Sequence, residues 1–423
     1  MRDMADATPM PATSVGFEEA VAFLQRDGAA RFAMRGGAVD VVGLAEARAR
    51  ILAHDLTSTC DHPNVDDSSL DGVACRCRDT LGATSDQPVA LTLVGDAAAG
   101  RPFGGRVEAG QATWIQTGAA VPDGADGIVP VEALQRDGDG VLVETEAVAN
   151  AIRRRGQDVR VGDVGLTAGR RLDASCVALA AAMGHATVPV TRRLRVAVLT
   201  SGDEVVAPGG TLGPGDVFDA NGPTLHALLH AAGAEVVALD TVRDDADALE
   251  RTLASVGTVD LLLTSGGISM GRYDRIRDLL EQRSRIVFRK VLLKPGGPAT
   301  FAVLGDLPWL ALPGNPVSSM VTFLALARPW LDAASGCREP VPLEQRIPVR
   351  AGVPLRSAGA KTTLLRVTME RESDHLSVRP TGSQNSGIVR SLADADALAI
   401  VPPGTAYAVG DLLDAVPLAP HIR

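Results

Sequence analysis

Four short loops between residues 201 and 318 hold residue types that can do chemistry on an anion. Ser201-Gly202-Asp203-Glu204 follows the apolar run RVAVLT. Ser265-Gly266-Gly267 follows DLLLT, with Ser269, Gly271 and Asp274 just beyond. Lys294-Pro295-Gly296-Gly297-Pro298 follows IVFRKVLL, which itself carries Lys290. Pro313-Gly314-Asn315-Pro316-Val317-Ser318 follows WLAL. Glycine lets backbone N–H groups come close to a phosphate, and a helix starting just after the loop turns its positive end toward the same anion. Lys290 and Lys294 offer positive charge. Glu204 and Asp274 carry oxygen ligands of the kind that hold Mg²⁺. Any one of these loops alone is a common turn or helix cap. Together, at the ends of apolar runs in one segment, they point to a cradle for a phosphate or another oxyanion.

The elements that must position these loops read as strand–helix repeats. Between 194 and 331, the runs RVAVLT, EVVALD and DLLLTS alternate with helices expected over 221–232, 244–255 and 273–283. IVFRKVLL, PATFAVL and PWLALP follow as strands, and a helix over 317–331 closes the segment. Buried apolar runs alternating with amphipathic helices predict a parallel α/β sheet, whose ligands bind beyond the carboxyl ends of the strands. Upstream, residues 15–60 read as helical, with apolar residues at helical spacing over 17–24 and 44–56. The polar stretch 61–72 reads as a loop. VALTLV, ATWIQT, GIVPV and GVLVET are short strands between glycine-rich turns, and an alanine-rich helix is expected over 174–183. Short strands return after 342. The expected division is a flexible tail at 1–14, one domain from 15–60 with 146–190, an inserted β domain at 61–145, an α/β domain at 191–338 and a C-terminal β domain at 339–423.

Bulk properties exclude several classes. A chain of 423 residues suggests two to four domains and ample core. With only 3% aromatic residues, that core must be built from Ala, Val, Leu and Ile. A formal net charge of −10 opposes broad nucleic-acid contact but leaves room for a local basic pocket. Cys60, Cys75, Cys77, Cys176 and Cys337 are sparse and odd in number, and Cys75-x-Cys77 is not a common zinc or redox spacing, so they read as reduced structural thiols. No apolar run approaches the roughly 18 residues of a membrane span. The first residues lack the apolar core of a secretion signal. The reading is a cytoplasmic protein with neither nucleic acid nor membrane as partner.

In chain order, ARILAHDL, SSLDG, QTGAAVPDGADGIVPVE, IRRRGQDVRVGD, SGDE, FDAN, VRDD, TSGGISMGRYD, KPGGP and LPGNPVSS fall as they do in the molybdopterin molybdenumtransferase family, whose eukaryotic relatives include the gephyrin E domain. The chain resembles that family from about residue 44 to its C-terminus. The resemblance implies a multidomain α/β and β fold: an elongated helical domain in two segments, an inserted small β domain, a central three-layer α/β domain that binds molybdopterin, and a C-terminal β-barrel-like domain. It implies a homodimer with the active site between subunits, and downstream molybdoenzymes as receivers of the product. The reaction it implies is insertion of molybdate into adenylylated molybdopterin, with Mg²⁺-dependent release of AMP. By the same resemblance, Asp71 of SSLDG acts from the opposite subunit, and Thr117 and Asp158 line the same cleft. Glu204 and Asp274 bind Mg²⁺ or position the phosphate, with Ser201 and Gly202 beside them. Asp244 helps form the nucleotide site. Ser265, Gly266, Gly267 and Ser269 cradle a phosphate. Lys290 and Lys294 hold molybdate or the bridging phosphate, and Pro313, Gly314, Asn315 and Pro316 wall the pterin site.

Two departures stand out. The family commonly has DNSAMDGYA where this chain has Asp66 to Ala74 as DDSSLDGVA, so Val73 replaces an aromatic and Asp67 an asparagine. KPGKP becomes KPGGP, so Gly297 stands where a second lysine often sits. Weaker oxyanion affinity, or compensation by Arg272, Arg275 or Arg289, is expected. Two other functions stay open at this point. A molybdopterin adenylyltransferase would consume ATP. A non-catalytic carrier or scaffold would bind pterin without turnover.

Overall fold

The computed structural model describes residues 14–242, 258–268, 275–339, 345–372 and 374–418. The expected helix over 244–255 falls outside them, as do Asp244, Ser269, Arg272 and Asp274.

The apolar runs of the middle segment form a six-stranded sheet in the order Glu235–Val242, Arg195–Ser201, Leu261–Ser265, Leu307–Leu312, Thr300–Leu304, Arg285–Phe288. The first four strands run parallel. Leu261–Ser265 is buried along its whole length, as expected for a strand covered on both faces. The expected parallel sheet forms over these four strands, and the direction changes at the far edge. Thr300–Leu304 runs antiparallel to both of its neighbours. Only Gly305 and Asp306 separate it from the next strand. A two-residue link makes a hairpin, whereas a parallel crossover needs a dozen residues or more. The expected single strand IVFRKVLL is also divided. Arg285–Phe288 stays in the sheet, Lys290–Val291 pairs with Ser14–Val15, and Leu293–Lys294 pairs with Thr362–Thr363. An edge strand has a free side, and here the chain leaves that edge to find other partners.

Helices Asn221–Ala231 and Arg275–Arg283 form within the expected spans. The last helix runs through Pro316–Thr322, a π-helical turn at Phe323–Ala327, and Arg328–Ala334. The first helix, Phe17–Met34, packs on this one: Trp330 Nε1 donates to Asp27 at 2.8 Å, and Phe23 meets the rings of Phe288 and Phe301 edge-on. These side chains join one core with the sheet.

The remainder of 15–60 is not helical. Val39–Gly43 is a strand against Thr187–Thr191, Leu44–Glu46 is one 3₁₀ turn, and Leu56–Thr57 pairs with Val164–Leu166. The β-branched residues Val39, Val41 and Val42 favour a pleated strand. The apolar residues over 44–56 are buried by irregular chain, with Ala47, Leu52 and Leu56 packing on Leu166, Leu172 and Cys176. The helix expected over 174–183 forms as Ala174–Ala182, and the Asp173 carboxylate accepts the Cys176 N–H at 2.8 Å as its cap.

The inserted strands form a six-stranded sheet in the order Gly127–Pro130, Gly72–Cys75, Gln111–Ile115, Val89–Ala97, Gly140–Val143, Leu134–Asp137. Near the C-terminus, Thr362–Arg371, Leu376–Pro380, Ile347–Ala351, Leu412–Pro417 and Ala397–Val401 pair in turn, and the last pairs back onto the first. That closure makes the expected β-barrel-like domain, filled by Val349, Val367, Met369, Val378 and Leu413. No helix among the described residues is long and apolar enough to cross a membrane.

Candidate active site

Neighbouring parallel strands in register end together, and their loops therefore begin side by side. Thr200 pairs with Ser265, and Ser265 with Leu312. Beyond them lies a cavity of about 860 Å³. It is lined by Ser201, Gly202, Glu204, Ser265, Gly266, Gly267, Pro313, Gly314, Asn315 and Pro316, all named from the sequence, and also by Asp203, Asp219 and Asn221. Gly266 and Gly267 adopt positive φ of 100° and 65°. A Cβ on Gly266 would run into the Ser201 carbonyl oxygen, and one on Gly267 into Ile276. Gly266 thus lets two loops touch through their backbones. The Gly266 N–H is spent on the Leu312 carbonyl at 3.2 Å. Ser265 is buried, with its hydroxyl donating to the Pro313 carbonyl at 3.1 Å and lying 3.0 Å from Ser319 Oγ. It braces the loops.

Asp219 and Asn221, within FDAN, were given no role by the sequence reading. Thr200 Oγ1 donates to Asp219 Oδ2 at 3.0 Å, while the N–H groups of Asn221 and Gly222 donate to Oδ1 at 2.9 Å. This carboxylate ties the start of helix Asn221–Ala231 to the adjacent strand. Asn221 Nδ2 donates to the Gly314 carbonyl at 2.7 Å. Its Oδ1 is buried and has no partner among the described residues. A buried acceptor left unpaired is costly.

A second groove of about 450 Å³ lies on the other side of the KPGGP turn. Lys294, Arg356, Arg366 and Gln384 line it, and its described lining holds no carboxylate. Arg366 is fully buried. Its Nε donates to Ser391 Oγ at 3.1 Å and its Nη2 to the Ser383 and Asn385 carbonyls at 3.3 and 3.2 Å, while Nη1 has no partner among the described residues. Burial pulls its pKa below the usual arginine value. A buried cation without a counter-ion is expensive. The sequence reading missed Arg366, although a lone charge in the apolar strand TTLLRVTM was a signal. Pro298, from the same turn as Lys294, lines the larger cavity, so the turn joins the two spaces. The barrel also closes the larger cavity, through Gly387 and Val389. Ser386 anchors that loop: its Oγ accepts from Asn315 Nδ2 at 2.9 Å, and its carbonyl from the Val317 N–H at 3.3 Å.

Other named residues lie elsewhere. Lys290 is exposed on the short strand against Ser14–Val15 and lines neither space. Asp71, Thr117 and Asp158 are exposed and also line neither. Asp71 Oδ1 accepts the Thr117 N–H at 2.7 Å. The Asp158 N–H donates to the His62 carbonyl at 3.0 Å. Each arginine of RRRGQD has its own carboxylate: Arg153 grips Asp67 with two bonds of 2.8 and 2.7 Å, Arg154 meets Asp66 at 2.6 Å, and Arg155 meets Asp61 at 2.5 Å. The aspartate at 67 is therefore a two-pronged partner for Arg153. The Arg155 N–H, the nearby Arg154 guanidinium adding to it, holds the Asp66 carboxyl below the usual range. Val73 is fully buried in the inserted sheet. Cys75 is buried there too, and burial pushes its thiol up to about 12. All five cysteines are free thiols. Arg289 is tied to Glu281 at 2.5 Å.

Residues 15–184 match the MoeA N-terminal region (domain I and II), 197–333 a probable molybdopterin binding domain, and 348–418 the MoeA C-terminal region (domain IV). The chain is 35% identical over 369 residues to molybdopterin molybdenumtransferase 2 of Mycobacterium tuberculosis, covering 85% of this chain and 90% of that one. It is 36% identical over 376 residues to the molybdopterin molybdenumtransferase of Synechococcus elongatus, covering 87% and 91%. Two crystal structures of molybdopterin biosynthesis MoeA protein from Pyrococcus horikoshii share the fold. One has a TM-score of 0.72 at 27% identity, over 96% of this chain and all of the other; the second has 0.78 at 24%, over 95% and 99%.

Proposed function

The chain belongs to the molybdopterin molybdenumtransferase family, and from that premise we propose that it inserts molybdate into adenylylated molybdopterin with release of AMP. The observation that carries this reading is the groove lined by Lys294, Arg356 and Arg366, with no carboxylate in its described lining, one turn away from the phosphate-type cradle. Molybdate is an oxyanion, and charge-assisted hydrogen bonds from guanidinium and ammonium groups are the strong ones for holding it. The larger cavity falls in the range of small-molecule sites, about 300–1,000 Å³. In it, Gly267 brings backbone close to a phosphate, Asn221 Oδ1 accepts from an N–H of the substrate, and Pro313 and Pro316 fix the wall.

Mg²⁺ fits this donor set without a dense cluster, since it commonly takes one or two carboxylates together with substrate phosphates. Glu204 and Asp203 face the cavity and would hold it, with Asp274 as the further carboxylate of the proposal. When bound, it would offset the negative charge of the phosphoanhydride that is cleaved. Asp244 and Ser269 keep their nucleotide and phosphate roles in the proposal, and Lys290 its role toward the anion. The proposal includes a cytoplasmic homodimer in which Asp71, Thr117 and Asp158, which line neither space described above, reach the partner's cavity. It also includes the domain division at 60, 145, 190 and 338, and transfer of the product to molybdoenzymes. The adenylyltransferase reading is disfavoured because the basic groove needs the barrel, which an α/β domain alone does not provide.

The test is AMP release from adenylylated molybdopterin by Glu204→Gln and Asn221→Ala variants. The account expects kcat to fall on the order of 10- to 100-fold for Glu204→Gln, as for loss of a metal-site partner. Asn221→Ala should mainly raise the KM for the pterin. Two variants with wild-type kinetics would remove this cavity from the reaction.

A further inference from the structure

We propose that Lys361 is a further cation of the molybdate site, supplying from the barrel the charge that Gly297 leaves out of the KPGGP turn. The proposal rests on the insertion reading above. A Cβ built on Gly297 would lie 3.9 Å from Lys361 Nζ, with the Leu293 and Val291 carbonyl oxygens at 3.3 and 3.5 Å. The ammonium group therefore lies in contact distance of the point where a side chain at 297 would begin. Strand pairing puts it there. Leu293–Lys294 runs parallel to Thr362–Thr363, and the Thr362 N–H donates to the Leu292 carbonyl at 3.0 Å. Lys361 is the next residue outward, bridged to Ala358 across a tight turn. Its stem has only to cross the loop beside it.

Charge supports the same assignment. Lys361 makes no ion pair and no side-chain hydrogen bond among the described residues, although it is exposed and free to swing to an acid. Instead its ammonium lies at the turn that already presents Lys294, next to the groove of Arg356 and Arg366, whose described lining has no carboxylate. Like charges gathered without an acid are self-repelling until an anion arrives. Arg289, a candidate for replacing the missing lysine, is occupied by Glu281. In this chain the second turn charge comes from 64 residues downstream (361 against 297) and depends on the barrel being docked.

Equilibrium dialysis of the full chain with molybdate alone, with metal quantified on each side, tests this apart from turnover. Lys361→Met should weaken molybdate binding roughly five- to tenfold, between the effect of an exposed ion pair and that of a charge-assisted hydrogen bond. In AMP release, the KM for molybdate should rise while kcat holds. Lys361→Arg should keep most of the affinity. Gly297→Lys placed in the Lys361→Met background should restore it, since position 297 does not have the positive φ that forbids a side chain. Wild-type affinity in Lys361→Met, or failure of Gly297→Lys to rescue it, would overturn the assignment. Wild-type protein that binds molybdate but releases no AMP would refute the insertion reaction and leave Lys361 in place, provided the swap still rescues binding. Wild-type protein that binds no molybdate would overturn both.

Discussion

Replacing Arg366 by methionine separates a structural arginine from an anion-binding one. In the ligand-free protein two effects oppose each other. An uncompensated buried charge costs several kcal/mol, while hydrogen bonds from a charged donor return about 1.5–3 kcal/mol each. Arg366 donates to Ser391, Ser383 and Asn385, and the last two accept through the carbonyls of exposed residues. The account therefore expects Arg366→Met to change ligand-free stability by no more than about 1 kcal/mol; breaking a buried salt bridge would cost about 3–5 kcal/mol. Molybdate affinity should behave very differently, falling about 10- to 150-fold for one charge-assisted hydrogen bond of 1.5–3 kcal/mol. Equilibrium urea unfolding with and without molybdate reads both quantities. At 100 times its own Kd, molybdate should stabilise the wild type by about 2.7 kcal/mol; if the variant's Kd is about 100-fold higher, the same concentration gives it only about 0.4 kcal/mol. Equal stabilisation of both proteins would refute the anion-site argument. So would a ligand-free loss above about 3 kcal/mol with molybdate binding unchanged, which would make Arg366 a structural brace.

Three further outcomes follow from the geometry. Gly266→Ala forces a side chain into positive φ and onto the Ser201 carbonyl; a loss of about 1–3 kcal/mol should appear in thermal unfolding, together with weakened pterin binding, and an unchanged melting curve would show that the loops have slack. The Asp66 carboxyl is held below its ordinary range in the folded protein, so its stabilising contribution is full above the ordinary aspartate pKa and is lost as pH falls through the lowered one; the protection of the Arg155 amide against hydrogen exchange, measured relative to the intrinsic rate at each pH, should fall across that acid window in the wild type, while Asp66→Ala should lack it already at neutral pH. Cys75, buried and with its thiol pushed up to about 12, should resist iodoacetamide at pH 8 in the folded protein and react only after unfolding, as peptide mass spectrometry would show.

The loops of the larger cavity were legible because glycines, prolines and hydroxyls punctuate the ends of buried apolar strands, and parallel register must then bring those ends together. Much of the fold followed from the same alternation. The antiparallel direction of Thr300–Leu304 was missed, although the two-residue link Gly305-Asp306 allows nothing but a hairpin. Residues 44–56 misled because helical spacing of apolar residues also arises in irregular chain that happens to bury them. The basic groove was hidden for another reason. Lys294 comes to share a groove with Arg366, and Gly297 comes near Lys361, only through the pairing of Leu293–Lys294 with Thr362–Thr363. No local pattern announces a contact made across two domains. Asp67 likewise looked like a departure until its two bonds to Arg153 showed what the carboxylate does.

The most direct test of the central claim supplies the full chain with adenylylated molybdopterin, Mg²⁺ and increasing molybdate, and measures AMP and product without ATP present. The account predicts AMP release that requires molybdate and matches, mole for mole, the molybdenum bound to pterin. Pterin held tightly with no AMP released, or product formed only when ATP is consumed, would contradict it.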